Sequence, residues 1–136
     1  MNPILRNIVA VVVGIIGGSL VNMALIMMSG SIIPPPEGVD TTTMEGLQDG
    51  MHLFAPKHFI MPFLAHALGA LAGGYLAARI AVTHKMTFAF CVGIFFLFGG
   101  IMMVYSVPSP TWFTALDLIV AYIPMAWLGG RMALKK

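Results

Sequence analysis

The chain has 136 residues, 59% of them hydrophobic and 9% charged, with a net charge of +2 and a mean hydropathy of +0.93. Soluble domains hold about 45–50% apolar and about 25% charged residues, so this chain lacks the polar surface of a soluble protein, and its scattered basic residues exclude a nucleic-acid interface. The single cysteine, Cys91, excludes an intrachain disulfide.

A bilayer core about 30 Å thick is crossed by roughly 20 apolar helical residues. Four runs meet that length, approximately 7–28, 59–81, 86–107 and 112–130. The expected fold is an all-α integral membrane protein, one domain over 1–136, built as a four-helix up-down bundle. The first apolar run is longer than the roughly 7–15 residues of a signal-peptide core, and it reads as an uncleaved signal anchor. It carries Gly14 and Gly18 in GxxxG spacing, and it holds Asn22 toward its far end.

The long connection 29–58 follows. Pro34, Pro35 and Pro36 favour a stiff extended segment. Thr42 and Glu45 have capping-box spacing, and Met44, Leu47, Met51 and Phe54 recur at helical intervals. The pattern predicts a short amphipathic helix on the membrane surface, weakened by Gly46 and Gly50. The alternative is an irregular loop packed on the end of the bundle. Glu45, Asp49, His52 and His58 lie in this region, but they do not form a tight zinc motif.

The second span contains "LAHALGALAGGYLAARIA". At about 100° per residue, Ala70, Gly73 and Ala77 fall within about 40° of His66, and Gly69 within about 60°. Leu64, Leu68, Leu71 and Tyr75 point the other way. Faces of small residues let helices approach closely in lipid, so His66 is expected between helices. Gly69 and Gly73 form a second GxxxG, suited to packing against the Gly14 and Gly18 face.

The connections "VTHK" and "PSP" are short and force antiparallel neighbours. Each span also holds a Gly-Gly pair, at 17–18, 73–74, 99–100 and 129–130, a faint echo consistent with two duplicated hairpins. The fourth span contains Asp117, with Trp112 as a belt aromatic, and Pro124, which cannot donate to the Val120 carbonyl and is expected to kink the helix.

Asn22, His66 and Asp117 come from three spans, and counting about 1.5 Å per residue places them at one level, about 7–11 Å below one interface. A buried carboxyl must be paired, neutral or wet, and His66 is its natural partner. The three residues therefore predict a polar pocket open to the outside. Such a triad serves either as interhelical glue or as a ligand or proton site, and the sequence leaves both readings standing. No further acidic or basic residue extends it into a proton path through the inner half.

No cofactor is expected. His66 is the only deep histidine, against a bis-histidine haem site. The 12 methionines mostly stand singly and act as flexible apolar filler rather than copper ligands.

Arg6, Arg79, Lys85, Arg131, Lys135 and Lys136 fall at one end of a four-span arrangement, and only Lys57 at the other. Lys and Arg excess marks the cytoplasmic side, so both termini are expected inside.

The stretches "PPPEGVD", "LAHALGALAGGYLAARIA" and "PSPTWFTALDLIVAYIPMAWLGGRMA" resemble a widespread group of small bacterial four-span membrane proteins. The resemblance implies the four-span fold and a bacterial inner membrane, and it implies no activity. Relatives often carry His-Pro before the tryptophan, where Ser109-Pro110 stands here.

Three functions compete. The first is a non-catalytic accessory, assembly or interaction subunit of a larger membrane complex, or of a homo-oligomer, in the lipid bilayer. The second is a small transporter or ligand-binding membrane protein using the Asn22, His66 and Asp117 pocket. The third is a lipid-modifying enzyme in which Asp117 orients His66 as a base.

Overall fold

The computed structural model describes Met1–Lys135. It is all-α, with no strand among the described residues. The helices are α1 (Pro3–Ile32), α2 (Met44–Gly50), α3 (Ile60–Ile80), α4 (Lys85–Ser106), α5 (Thr111–Leu116) and α6 (Ile123–Leu134). A π-helical turn, Asp117–Ala121, joins α5 to α6 as one interrupted helix. A 3₁₀ turn over Pro56–Phe59 leads into α3. Four helical stretches are long and apolar enough to cross a membrane: Pro3–Ile32, Pro56–Ile80, Lys85–Ser106 and Thr111–Leu134.

Small residues set the packing. α3 lies at the centre, against α1, α4 and α6. Its buried residues are almost all Ala or Gly, while Leu64, Leu68 and Tyr75 are exposed on its other face. On α1, Gly14 faces Gly73 and Gly18 faces Gly69, an antiparallel register. A Cβ at Gly14 would sit 2.7 Å from the Gly73 carbonyl oxygen, and one at Gly18 2.5 Å from that of Gly69. Only glycine permits so close a backbone crossing, whose reward is dispersion contact and weak Cα–H···O bonds. α6 runs antiparallel to α3 through Gly74 against Ala126 and Gly129 against Leu71. α1 and α4 run parallel and touch where Gly14 meets Val92 and Gly18 meets Phe96. The four glycine pairs have unlike surroundings: nothing lies within 4 Å of a Cβ built on Gly99, while Gly100 accommodates the Tyr122 ring.

The end of the bundle nearest the termini is clamped by polar groups. Asn7, buried on α1, accepts from the Val82 amide at 2.9 Å and donates to Thr83 Oγ1 at 2.8 Å. Arg6 Nε donates to the Ile80 carbonyl at 2.9 Å. These bonds secure the tight Ala81–His84 turn, in which His84 adopts a left-handed conformation at φ 44°.

At the far end the long connection folds onto the bundle. α2 forms, but its N-cap is Thr43, whose Oγ1 accepts from the Gly46 amide at 3.0 Å, rather than the expected Thr42. Thr42 donates its hydroxyl and its amide to Asp40 Oδ1 instead, and Glu45 then stands one position too early for a capping box. Met51, Phe59, Val107 and Phe113 make a buried apolar cluster, with Leu47 and Phe54 packed against it. Gln48 Nε2 donates to the Ser106 carbonyl. The amphipathic segment thus packs on the ends of α4 and α5, so both sequence readings of this region contribute: a helix, and a cap on the bundle.

Candidate functional site

The site begins at Asp117, which is 5% exposed inside a largely apolar bundle. Its carboxyl has two partners. His66 Nδ1 on α3 lies 2.8 Å from Oδ1, and the Tyr122 hydroxyl donates to Oδ2 at 2.9 Å. The His66 and Tyr122 rings stack, with centroids 5.6 Å apart and planes inclined by 27°. The network ties α3 to the interrupted fourth helix.

The π turn makes this network possible. In an α-helix, residues five apart point about 140° away from each other, so Asp117 and Tyr122 would diverge. A π turn bonds i to i+5 and brings them onto one face, where they are joined side chain to side chain. The turn precedes Pro124, which has no N–H to offer the helix behind it. Regular bonding resumes with the Ala126 amide donating to Tyr122 O at 2.9 Å. Gly100 on α4 completes the arrangement, since a Cβ there would sit 2.6 Å from the Tyr122 ring and hydroxyl.

Beside the network lies a cavity of about 170 Å³ between α1, α3 and α4. Asn22, His66, Phe96, Gly99, Met103 and Tyr122 are among its lining residues. Asp117 does not line it, but holds His66 and Tyr122 from behind. Asn22 contributes a buried amide oxygen with no hydrogen-bond partner among the described residues. Of the residues expected to line a pocket, His66 and Asp117 are therefore joined directly, and Asn22 meets His66 only across the cavity wall. Two lining groups were not singled out from the sequence. Tyr122 is a polar-tipped aromatic inside a span, which is a signal of a kind. On the α4 wall, made by Phe96, Gly99, Gly100 and Met103, the Gly99-Gly100 pair is the one feature that the sequence marks.

The chemistry of the arrangement follows from the bond at Nδ1. With the Asp117 carboxylate accepting, His66 carries its proton on Nδ1 and keeps Nε2 as an acceptor. No hydrogen bond occupies Nε2 among the described residues. Two acceptors, His66 Nε2 and the Asn22 oxygen, thus belong to residues of one cavity wall. Among the described residues no serine, cysteine or lysine lines the cavity, so it presents hydrogen-bonding groups and an imidazole base without one of these nucleophiles. No group of three or more His, Cys, Asp or Glu suited to a metal ion occurs among the described residues.

A second cavity of about 160 Å³ lies at the far end of the bundle, lined by Phe59, Phe63, Leu64, Trp112, Phe113 and Leu116. It is almost wholly apolar and offers mainly shape.

Comparison with protein-family models, with curated proteins and with solved structures returned no match.

Proposed function

We propose that this protein is a small multi-pass membrane protein that binds a small polar ligand group in the cavity beside His66, Asp117 and Tyr122. The observation that carries the reading is the unpaired oxygen of Asn22, a residue of the cavity wall. A buried polar atom without a partner costs about 1–3 kcal/mol, and polar groups within membrane spans mark binding and transport sites by default. The glue reading accounts for the Asp117 bonds to His66 and Tyr122, which join α3 to the fourth helix. It leaves Asn22 and the cavity unexplained.

Both termini lie on the cytoplasmic side in this proposal, and the cavity opens in the outer leaflet of a bacterial inner membrane. Its support is the charge distribution: Arg6, Arg79, Lys85, Arg131 and Lys135 belong to one end of the bundle and Lys57 to the other.

The test is a ligand screen by thermal shift on detergent-purified protein, because a ligand that binds only the folded state raises the melting temperature. A compound that stabilises the wild type and loses that effect in His66→Ala, with helicity retained, supports the site. Stabilising compounds that act equally on the wild type, Asn22→Leu and His66→Ala would sink it.

The second reading, an accessory or interaction subunit, is favoured by α1. Its buried residues are Asn7, Ala10, Gly14 and Gly18, and none beyond Gly18 is buried, so the last turns of α1 can meet lipid, another subunit or a second copy. A sharp monomer under native purification in mild detergent counts against it.

A further inference from the structure

Three features of the cavity narrow the chemistry of its ligand. The first is the way in. α1 and α4 meet at Gly14–Val92 and Gly18–Phe96, and the cavity fills the gap beyond, between Asn22 on one helix and Gly99 and Met103 on the other. Gly99 and Met103 are exposed, and a Cβ built on Gly99 meets nothing within 4 Å. At the far end, Met51, Phe59, Val107 and Phe113 seal α3, α4 and α5 under the long connection, and Gln48 pins α2 to the last turn of α4. The open side of the cavity is therefore the lateral side, between two helices whose exposed faces are apolar.

The second feature is size. A cavity of about 150 Å³ lined by apolar side chains holds benzene, so about 170 Å³ suits one six-membered ring. The third is polarity. The Asn22 oxygen is an acceptor without a donor, and His66 Nε2 is a second acceptor once Nδ1 has donated to Asp117. His66 Nε2 asks for a hydroxyl and is not met by a carboxylate or a phosphate, whereas the Asn22 oxygen is enclosed by its neighbours. Around them Phe96, Met103 and the Tyr122 ring offer faces for a ring to stack on.

Building on the cavity as a ligand site, we propose that it takes the hydroxylated ring of a bilayer-soluble amphiphile, a long-chain phenol or hydroquinone. The ligand enters sideways from the lipid between α1 and α4. Its hydroxyl donates to His66 Nε2, and its hydrocarbon tail leaves through the gap at Gly99. Asp117 acts through His66 by holding the proton on Nδ1. The step is binding alone, with no bond made or broken.

The experiment is equilibrium binding of radiolabelled para-dodecylphenol to the full chain in lipid nanodiscs, with para-dodecylanisole and plain phenol as competitors. The expected result is saturable binding in which the anisole, lacking the donor, competes about tenfold less well than the unlabelled dodecylphenol. His66→Phe, which removes the Nε2 acceptor, is expected to weaken dodecylphenol by a similar factor. Gly99→Leu, at a position where an added Cβ meets no neighbouring atom, is expected to abolish binding of the tailed probe while helicity is kept, and it serves where His66→Phe fails to fold. Equal affinity for dodecylphenol and its methyl ether overturns the hydroxyl assignment. Tighter binding of plain phenol than of dodecylphenol overturns the lateral amphiphile and leaves the cavity standing as a site. Absence of saturable binding by any of the three probes overturns the ligand class, and the thermal-shift screen separately decides whether the cavity binds any other ligand.

Discussion

Two asparagines on α1 have opposite fates. Asn7 and Asn22 lie about 60° apart around the helix, so both turn toward the side on which α3 packs. Asn7 is buried with its oxygen and its amide nitrogen both used, on Val82 and Thr83. Asn22 is half-buried and its oxygen has no partner, beside a cavity. Burial of a polar side chain in an apolar helix is therefore not the mark of a site. Satisfaction separates the two, since a fully bonded group stabilises the fold and an unbonded buried one costs free energy that the fold does not return.

Between them, Gly14 and Gly18 carry the helix across α3, and the largest expected effect lies there. Gly18→Leu would drive a side chain into the Gly69 carbonyl and the Phe96 ring. It should separate α1 from α3 and disturb both asparagines at once. Loss of a cooperative thermal transition in detergent, with helicity largely kept, is the expected outcome; an unchanged transition would mean that the crossing adds little.

Asn7→Ala should come next. It leaves the Val82 amide and the Thr83 hydroxyl without partners, at about 1–3 kcal/mol each, discounted toward the lower end because interhelical bonds in membranes average about 0.6 kcal/mol. A lower melting temperature and faster proteolysis at the Ala81–His84 turn are expected, with ligand response retained at temperatures where the variant is folded.

Asn22→Leu should show the reverse pattern. Removing an unpaired polar atom is neutral or stabilising, so its melting temperature should equal or exceed that of the wild type while binding at the cavity falls. A loss of stability like that of Asn7→Ala would erase the contrast and return Asn22 to the role of glue.

The smallest effect lies outside the helices, at Asp40. The Thr42 hydroxyl, and then the Thr42 amide, hold its carboxyl below the ordinary aspartate range. A carboxyl lowered on folding adds stability that is complete above its ordinary value and is lost as pH falls through the lowered one. Amide protection around Thr42 and Gly46 should therefore decline below about pH 4. The decline should be absent in Asp40→Asn, and neither asparagine should respond.

Much of this frame is legible from residues alone. The four apolar runs match four helices long enough to cross a membrane, because hydrophobic length is a local property. The small-residue face of the second run also follows from periodicity: Gly69, Ala70, Gly73 and Ala77 are buried, and Leu64, Leu68 and Tyr75 are exposed. The N-cap of α2 falls at Thr43, one residue past the position that the spacing predicts. Two adjacent threonines compete there, and the choice depends on which one Asp40 engages.

Other features need the folded chain. In the sequence Asn7 is only a residue at the edge of a span, and the turn after α3 closes on it from far along the chain. Tyr122 lies off the Asp117 face in any regular helix, and only the π turn brings it back. Sequence by itself determined the apolar lengths, the face of α3 that packs and the level shared by Asn22, His66 and Asp117, since each follows from the period and rise of one helix. Tertiary structure decided that Asp117 sits behind His66 and Tyr122, that the Asn22 oxygen is left unpaired, and that the cavity lies between α1 and α4. Those depend on how helices distant in the chain cross and on a single extra residue in one turn, and no local pattern records either.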